Sequence, residues 1–274
     1  MRSLPNAKVC RHFFTAALAG AVPTACVGGS ASLGDAGPKN CIAGQTQTCM
    51  GAGACVGGQA CKADGLGYEA CVCGSAPAGM VAIPGHKFPD GGVIAAFYID
   101  KTEVTVLAYA ACVTASKCTP ASNDAGTSCN AGVAGRDNHP VNCVDWTQAT
   151  VYCGWVGKRL PTDEEWQYAA DAAEGRLYPW GNASPDTQLC WNGLGNTLGQ
   201  GSRMSTCAVG SFPTGDSPFG LSDMSGNVFE WTSSGNDLRG GGWNITQPLT
   251  VRVALRYPVS SSARDFSTGL RCVR

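Results

Sequence analysis

The sequence predicts an irregular, loop-rich α+β domain preceded by a small module that is stapled by disulfides. Three observations lead to this fold class. The chain of 274 residues contains 37 glycines and 15 prolines, and only 14% of its residues are charged, a composition that favours turns and loops over long helices. Few segments keep the periodicity of a helix or of a strand over many residues. Finally, the 16 cysteines indicate folding in an oxidising compartment, where disulfides persist.

Residues 1–26 have the pattern of an export signal, in which a basic segment precedes a short apolar run over residues 13–22. That run is too short to span a bilayer permanently. Cys26 follows two small residues, as in a bacterial lipoprotein signal, and is therefore a candidate for lipidation. Because Pro23 takes the place of the usual leucine, ordinary cleavage is the alternative. Either pattern predicts an exported protein, as a lipoprotein of the cell envelope or in secreted form.

The next two segments are predicted to be a linker and a cysteine-rich module. Residues 27–40 are small and polar and predict a flexible linker. Residues 41–73 hold six cysteines and almost no large apolar side chain, so this segment cannot build a hydrophobic core and must be stapled by disulfides. The sequence does not select their pairing. Zinc binding is the alternative, disfavoured because the segment has no histidine and no paired Cys-x-x-Cys motif.

Residues 80–274 are predicted to form the main domain, because all 7 tryptophans of the chain lie there. Apolar residues predict two helices, over residues 103–115 and 145–157, and the start pattern of Pro161 with a following capping box predicts a third over residues 161–173. Thr102 is the expected N-cap of the first helix, and Thr162 with Glu165 has the pattern of a capping box at the third. The remaining sequence is rich in turn residues, with short candidate strands.

Several motifs of the main domain occur in a specific order: GKRLPTDEEW at residues 157–166, SPFGLSDMSGNVFEW at 217–231, RGGGW at 239–243 and GLRC at 269–272. In order and spacing they resemble the formylglycine-generating enzymes, also called sulfatase-modifying factors. The resemblance covers residues 80–274. It implies a fold related to the C-type lectin domain, with little regular secondary structure, many loops and frequently bound calcium.

The resemblance also shows where the reaction centre of such an enzyme is expected. Enzymes of this family oxidise a sulfatase cysteine with Cu(I) held by two cysteines five residues apart, and thiolates suit that soft ion. The corresponding residues 245–257, here called the copper window, contain no cysteine, and Gly242 replaces the family's serine. The iron-dependent branch of the family needs an HxxxHxE motif and an added helical domain, and the sequence has neither. Copper is therefore not expected, and no catalytic residue is assigned.

A calcium site is implied by the resemblance in residues 223–230. Its ligands would be the side chains of Asp223 and Glu230 and the carbonyls of Gly226 and Val228, a hard oxygen set that suits calcium. The alternative is that Glu230 accepts hydrogen bonds from loop amides. The family's second calcium site needs an acidic residue in a loop that here spans residues 196–206 and has none, so that site is expected to be lost.

The resemblance further implies a structural disulfide between Cys153 and Cys272. Such a bond would close a loop of 119 residues and restrict the unfolded chain strongly. The alternative is that one of the two pairs with another cysteine of the domain, namely Cys143, Cys190 or Cys207.

Residues in and beside the copper window are candidates for lining a shallow ligand pocket. They are Trp243, Asn244, Arg256 and Tyr257. The alternatives are that Trp243 simply packs in the interior and that Arg256 pairs with a local carboxylate.

These observations support two functional hypotheses. The first is an exported, non-catalytic protein that serves as a binding or structural module at the cell surface and holds a protein, peptide or glycan. The second is a diverged oxidase with an altered active site. The net charge of −1 indicates no nucleic-acid partner, and contact with a membrane is expected only through a lipid on Cys26.

Overall fold

The computed structural model describes residues 41, 46–50, 56–62, 65–68, 72–73, 76–124, 126–193 and 204–274. The predicted export signal, the linker and the candidate lipidation residue Cys26 lie outside these ranges. Within them, no helix has the length and apolar character that crossing a membrane requires.

The cysteine-rich module contains a small antiparallel sheet. Its strands, in the order β1-β2-β3, are Thr46–Met50, Val56–Ala60 and Val72–Cys73. A disulfide joins Cys41 to Cys61, as expected for a segment without a core of its own. The other four cysteines of the module lie outside the described side chains, so their pairing stays open.

The main domain combines short strands with three helices among the described residues. The strands are β4 (Met80–Ile83), β5 (His86–Lys87), β6 (Val93–Ile94), β7 (Phe97–Asp100), β8 (Phe229–Trp231), β9 (Asp237–Arg239), β10 (Tyr257–Pro258) and β11 (Thr268–Gly269). Four of them form a mixed sheet in the order β10-β9-β8-β11. Strand β11 runs parallel to β8, so the C-terminal end of the chain returns to the centre of the domain. This irregular mixture agrees with the composition.

The three helices are shorter than the sequence predicts. They are α1 (Val106–Thr114), α2 (Trp146–Trp155) and α3 (Asp163–Asp171). The expected N-cap Thr102 is wrong, because Thr105 caps α1 by accepting a hydrogen bond from the amide of Ala108 at 3.2 Å. The residues before the cap are extended instead: Val104 donates its amide to the carbonyl of Leu270 at 2.9 Å. This early segment is therefore hydrogen-bonded to the residues that follow the last strand.

The hydrophobic core lies between the helices and the strands of the main domain. One cluster joins α1 and α2 to the sheet and includes Tyr109, Tyr152, Trp231 and Leu270. A second cluster packs α3 against β4 and β7 and includes Ile83, Ile99, Trp166 and Met224. Residues 221–231 run between the two clusters and are buried throughout, so polar groups in this segment are enclosed on all sides.

Disulfides use all eight cysteines of the main domain. The pairs are Cys112–Cys118, Cys129–Cys143, Cys153–Cys272 and Cys190–Cys207. The bond between Cys153 and Cys272 is the one that the resemblance implies. It joins α2 to the segment after β11, and the other candidate partners of these two cysteines are bonded to each other or to Cys129.

The start of α3 gives a first prediction. The side-chain oxygen of Thr162 accepts a hydrogen bond from the amide of Glu165 at 3.1 Å, and the Glu165 carboxylate accepts one from the amide of Thr162 at 2.9 Å. Replacing Thr162 with alanine is expected to lower the free energy of unfolding by about 1 kcal/mol, measured by urea denaturation. The matched variant Thr162→Ser keeps the oxygen and should stay close to wild type; equal losses in both variants would contradict a capping role.

Candidate functional site

The residues implied as calcium ligands lie in a tightly turned and buried segment. Asp223, Gly226 and Asn227 all have positive φ, at 58°, 83° and 59°, a region that Asp and Asn tolerate better than other side chains. At Gly226 a Cβ would lie 2.7 Å from the carbonyl oxygen of Cys190, so only glycine fits there. These turns hold the two ends of the segment, Asp223 and Glu230, inside the domain.

Glu230 forms a fully buried ion pair with Arg271. Both side chains are 0% exposed, and Arg271 donates from Nε to Oε2 and from Nη2 to Oε1, each at 2.7 Å. Trp166 also donates its Nε1–H to Oε2 at 2.7 Å. The partners of the Glu230 side chain are therefore mainly other side chains rather than the loop amides of the alternative interpretation. A carboxylate has about four lone-pair sites, so roughly one remains for a further ligand.

Two further carboxylates lie near this pair. Asp223 Oδ2 accepts a hydrogen bond from the amide of Gly210 at 2.6 Å, and burial raises the pKa of Asp223 to about 6. Glu103 is 2% exposed, and its pKa is raised well above the ordinary value, first by burial and then by the charges of Asp223 and Glu230. Burial alone would lower the pKa of Arg271. The charge of Glu230 nevertheless holds that pKa above its usual range.

With every carboxyl ionised, the charges in this cluster would not balance. Glu103, Asp223 and Glu230 would then carry three negative charges against the one positive charge of Arg271, a state that the raised pKa values of Glu103 and Asp223 disfavour. Buried charges need partners, because removing them from water is costly. A bound cation would supply the missing charge, and the donors present are oxygens, as calcium requires. No group of three His, Cys, Asp or Glu side chains suited to a metal ion is found in the part of the chain that the structure describes, so ligation here would need backbone carbonyls.

Sequence reasoning missed Glu103 and Arg271. Glu103 lies three residues after strand β7, and Arg271 belongs to the GLRC motif. Glu103 was hidden because its neighbourhood has the apolar spacing of a helix. A glutamate beside an extended strand and an arginine beside a disulfide cysteine were the only signals, and neither reveals that the two side chains enter one buried cluster.

Several side chains of the copper window pack in the interior of the domain. Val251 and Val253 are fully buried, whereas Leu249 is 60% exposed. Ile245 packs against the core cluster that joins α1 and α2 to the sheet, and against a third, smaller cluster that includes Trp191 and Val251. At Gly242 a Cβ would lie 2.9 Å from Cβ of Ser267 and 3.1 Å from Oδ1 of Asn244. The serine that the family places at this position would therefore have no room without a shift of its neighbours.

The four candidate pocket residues have separate surroundings. Trp243 is 7% exposed and packs on Phe266 at 5.6 Å between ring centroids, and Tyr257 packs on Phe229 at 5.0 Å. Arg256 forms an ion pair with Asp163 at 2.5 Å, as in the alternative interpretation. Oδ1 of Asn244 is buried without a hydrogen-bond partner among the described residues. A shared pocket for these four stays a prediction.

A cavity of about 560 Å³ lies elsewhere, between the β5–β6 hairpin and α3. The residues lining it include Phe88, Asp90, Ile94, Glu164, Tyr168 and Asp171. None of the four candidate pocket residues lines it.

The arginine of the RGGGW motif has a structural role. Arg239 is fully buried and forms a two-point ion pair with Asp163 at the start of α3, with both N–O distances at 2.5 Å. It also donates to the carbonyl of Val253 in the copper window at 2.9 Å. Arg239 thus connects α3 to the copper window and is unavailable to a ligand in this arrangement.

Comparison with known proteins agrees with the motifs. Residues 76–274 match the family described as sulfatase-modifying factor enzyme 1-like domain. The chain is 35% identical over 158 residues to the inactive C-alpha-formylglycine-generating enzyme 2 of Bos taurus, covering 52% of each chain. It is 43% identical over 106 residues to the formylglycine-generating enzyme of Mus musculus, covering 36% of this chain and 28% of the relative. The chain thus spans about half, or less, of the length of these curated relatives.

Solved structures show the same fold. PvdO from Pseudomonas aeruginosa aligns with a TM-score of 0.55 and 24% identity, over 71% of this chain and 93% of its own. CarF aligns with a TM-score of 0.55 and 20% identity, over 72% of this chain and 98% of its own. At such identities the similarity concerns the fold, and function has to be argued from the residues of this chain.

Proposed function

Because the chain belongs to the sulfatase-modifying factor family over residues 76–274, we propose that it is a member without the formylglycine-generating reaction, which serves as a binding or structural module. The observation that carries this proposal is the copper window. Residues 245–257 contain no cysteine, and the eight cysteines of the main domain are all bonded in disulfides. The domain therefore offers no thiolate pair to Cu(I).

The packing around Gly242 supports the same proposal. Because a Cβ there would lie 2.9 Å from the Ser267 side chain, the family's serine would not fit at this position without a shift of its neighbours. The relatives of the chain include proteins named as inactive members, in Bos taurus and Mus musculus. That description belongs to those proteins, but it is consistent with a family fold that persists without the reaction.

The proposed place of action is outside the cytoplasm. Five disulfides among the described residues favour an oxidising compartment, and the basic and apolar pattern of residues 1–26 is that of an export signal. We propose attachment to the cell envelope through a lipid on Cys26, with secretion as the alternative. The proposed partner is a protein, peptide or glycan rather than a nucleic acid.

Calcium is the proposed cofactor, held by the side chains of Asp223 and Glu230 and the carbonyls of Gly226 and Val228. The unbalanced carboxylates around Arg271 and the all-oxygen donor set support it. Bound calcium would supply positive charge to the buried cluster. The residues themselves fix the ends of the segment: Trp166 and Arg271 orient Glu230, and the amide of Gly210 orients Asp223.

The test is a copper-binding and peptide-oxidation assay on the purified protein with its disulfides intact. We expect neither Cu(I) binding nor oxidation of a CxPxR-type peptide, while a formylglycine-generating enzyme assayed in parallel does both. The double variant Ile245→Cys/Thr250→Cys restores two thiols with the family's spacing and serves as the matched comparison for copper binding. Oxidation of the peptide by the wild-type protein would contradict the proposal and favour the diverged oxidase.

A further inference from the structure

The cavity between the β5–β6 hairpin and α3 has the size and the lining of a ligand site. Its volume is about 560 Å³, within the range of cavities that hold small molecules. Phe88 from the hairpin and Tyr168 from α3 contribute aromatic rings to its wall. Both rings pack on His86, with centroid distances of 4.6 and 5.1 Å, which fixes their positions. A ligand in this cavity would therefore meet a preformed aromatic wall.

The charged side chains that line this cavity are all acidic. They are Asp90, Glu164, Glu165 and Asp171, and no lysine, arginine or histidine is found among the described residues of the lining. Glu165 has a cationic partner, because Arg159 donates to both of its carboxylate oxygens at 2.6 and 2.7 Å. The other three carboxylates form no ion pair within the part of the chain that the structure describes. The cavity therefore presents uncompensated negative charge.

Asp171 is the carboxylate whose charge most needs a partner. Asp90 and Glu164 are exposed to solvent, whereas Asp171 is 5% exposed and is the last residue of α3. Burial and the negative end of the helix dipole both oppose a negative charge at this position. Burial raises the pKa of Asp171, because the hydrogen bonds from neutral donors do not outweigh it. A cation in the cavity would favour the ionised form.

A role in the turn after α3 explains the position of Asp171 but not its charge. Its Oδ1 accepts a hydrogen bond from the amide of Ala173 at 2.9 Å. This bond holds a turn in which Ala172 and Ala173 have φ values of 56° and 59°, a region that side chains other than Asn and Asp rarely adopt. Asparagine would accept the same hydrogen bond without a charge. The carboxylate is therefore better explained by a cationic ligand in the cavity.

The spacing of the carboxylates favours an organic polycation over a metal ion. Glu164 and Asp171 stand seven residues apart on α3, which puts them on one face of the helix and about 10 Å apart along its axis. Asp90 lies in the turn of the hairpin, across the cavity from α3. Charges this far apart cannot share one metal ion, but they match protonated amines that are spaced along a flexible chain. Aromatic faces such as those of Phe88 and Tyr168 also attract ammonium groups.

We propose that this cavity binds an aliphatic polyamine. Its protonated amines pair with the carboxylates of Asp171, Glu164 and Asp90. Its methylene groups pack on the aromatic wall formed by Phe88 and Tyr168. The polyamine site is separate from the copper window and from the proposed calcium ligands, since none of those residues lines the cavity. Polyamine binding would therefore persist whether or not the protein binds calcium or copper.

The test is calorimetric titration of spermidine into the purified protein and its variants at low ionic strength. We expect the wild-type protein to bind spermidine and Asp171→Asn to bind it at least fivefold more weakly, because asparagine keeps the hydrogen bond to Ala173 and removes the charge. Asp124→Asn neutralises an exposed aspartate outside the cavity and is the matched control, which should bind as wild type does.

Thermal unfolding provides a second readout that a purely structural role of Asp171 would not produce. Without spermidine, Asp171→Asn should raise the Tm by about 2 °C, because a buried negative charge at the end of α3 is removed. Spermidine should then raise the Tm of wild type more than that of the variant.

Three outcomes would overturn the polyamine site. They are absence of spermidine binding by wild type, equal affinity of wild type and Asp171→Asn, and binding of tetralysine without binding of spermidine, which would assign the cavity to a basic peptide. If Asp171→Asn loses its near-ultraviolet circular dichroism and so does not fold, Glu164→Gln takes its place, because an exposed side chain can be changed without disturbing the core. Wild-type affinity in that variant would likewise count against the polyamine site.

Discussion

Replacing Arg271 with methionine is expected to lower the free energy of unfolding by about 3–5 kcal/mol. Glu230 is 0% exposed, and the variant would leave its charge buried with one hydrogen bond, from Trp166. The carbonyls of Asp100, Lys101 and Ser222 would lose a donor as well. Guanidinium denaturation in the presence of a chelator, followed by tryptophan fluorescence, measures the loss without a contribution from bound metal.

Two comparisons make this prediction specific to a buried charge. The double variant Arg271→Met/Glu230→Gln removes both charges and is expected to be more stable than Arg271→Met alone, because no uncompensated carboxylate remains. Arg176→Met breaks the exposed ion pair with Glu174, whose side chain is 56% exposed, and should change stability by less than about 1 kcal/mol. Similar losses in Arg271→Met and Arg176→Met would show that burial does not decide the strength of the Glu230 pair.

The helices show how far sequence reasoning reaches in this fold. The capping box of Thr162 and Glu165 is local and was predicted correctly, since four consecutive residues determine it. The start of the first helix was placed too early, at residue 103 instead of Val106. The cause is tertiary: Val104 bonds to Leu270, a partner far along the chain that no local pattern contains.

The candidate site shows more clearly that contacts between distant segments cannot be predicted from local sequence. The resemblance implies Asp223 and Glu230 as calcium ligands because both stand in one motif, and that assignment stays a prediction. Their surroundings depend on the parallel pairing of β11 with β8, in which Gly269 lies opposite Glu230, and this pairing carries Arg271 to the carboxylate. Parallel pairing joins segments that are distant in sequence, so the buried ion pair could not be predicted from spacing.

Removing the disulfide between Cys153 and Cys272 is expected to cost more than removing any shorter one, and the chain provides its own comparison. The loop-entropy model gives about 5 kcal/mol for a loop of 119 residues and about 2 kcal/mol for the loop of 6 residues closed by Cys112–Cys118. Denaturation of the double variants Cys153→Ala/Cys272→Ala and Cys112→Ala/Cys118→Ala under non-reducing conditions measures both losses.

The two double variants are matched in the burial of the cysteines that they replace and differ in loop length. All four cysteines are buried, at 0%, 0%, 0% and 8% exposure for Cys153, Cys272, Cys112 and Cys118, so replacement by alanine removes similar packing from both pairs. A difference of about 3 kcal/mol between the variants would therefore report the restriction of the unfolded chain. Equal losses would instead assign the stabilisation to local packing, and the C-terminal segment that carries Arg271 would then be held by its backbone hydrogen bonds, such as those between Val273 and Arg159, together with the buried ion pair of Arg271 and Glu230.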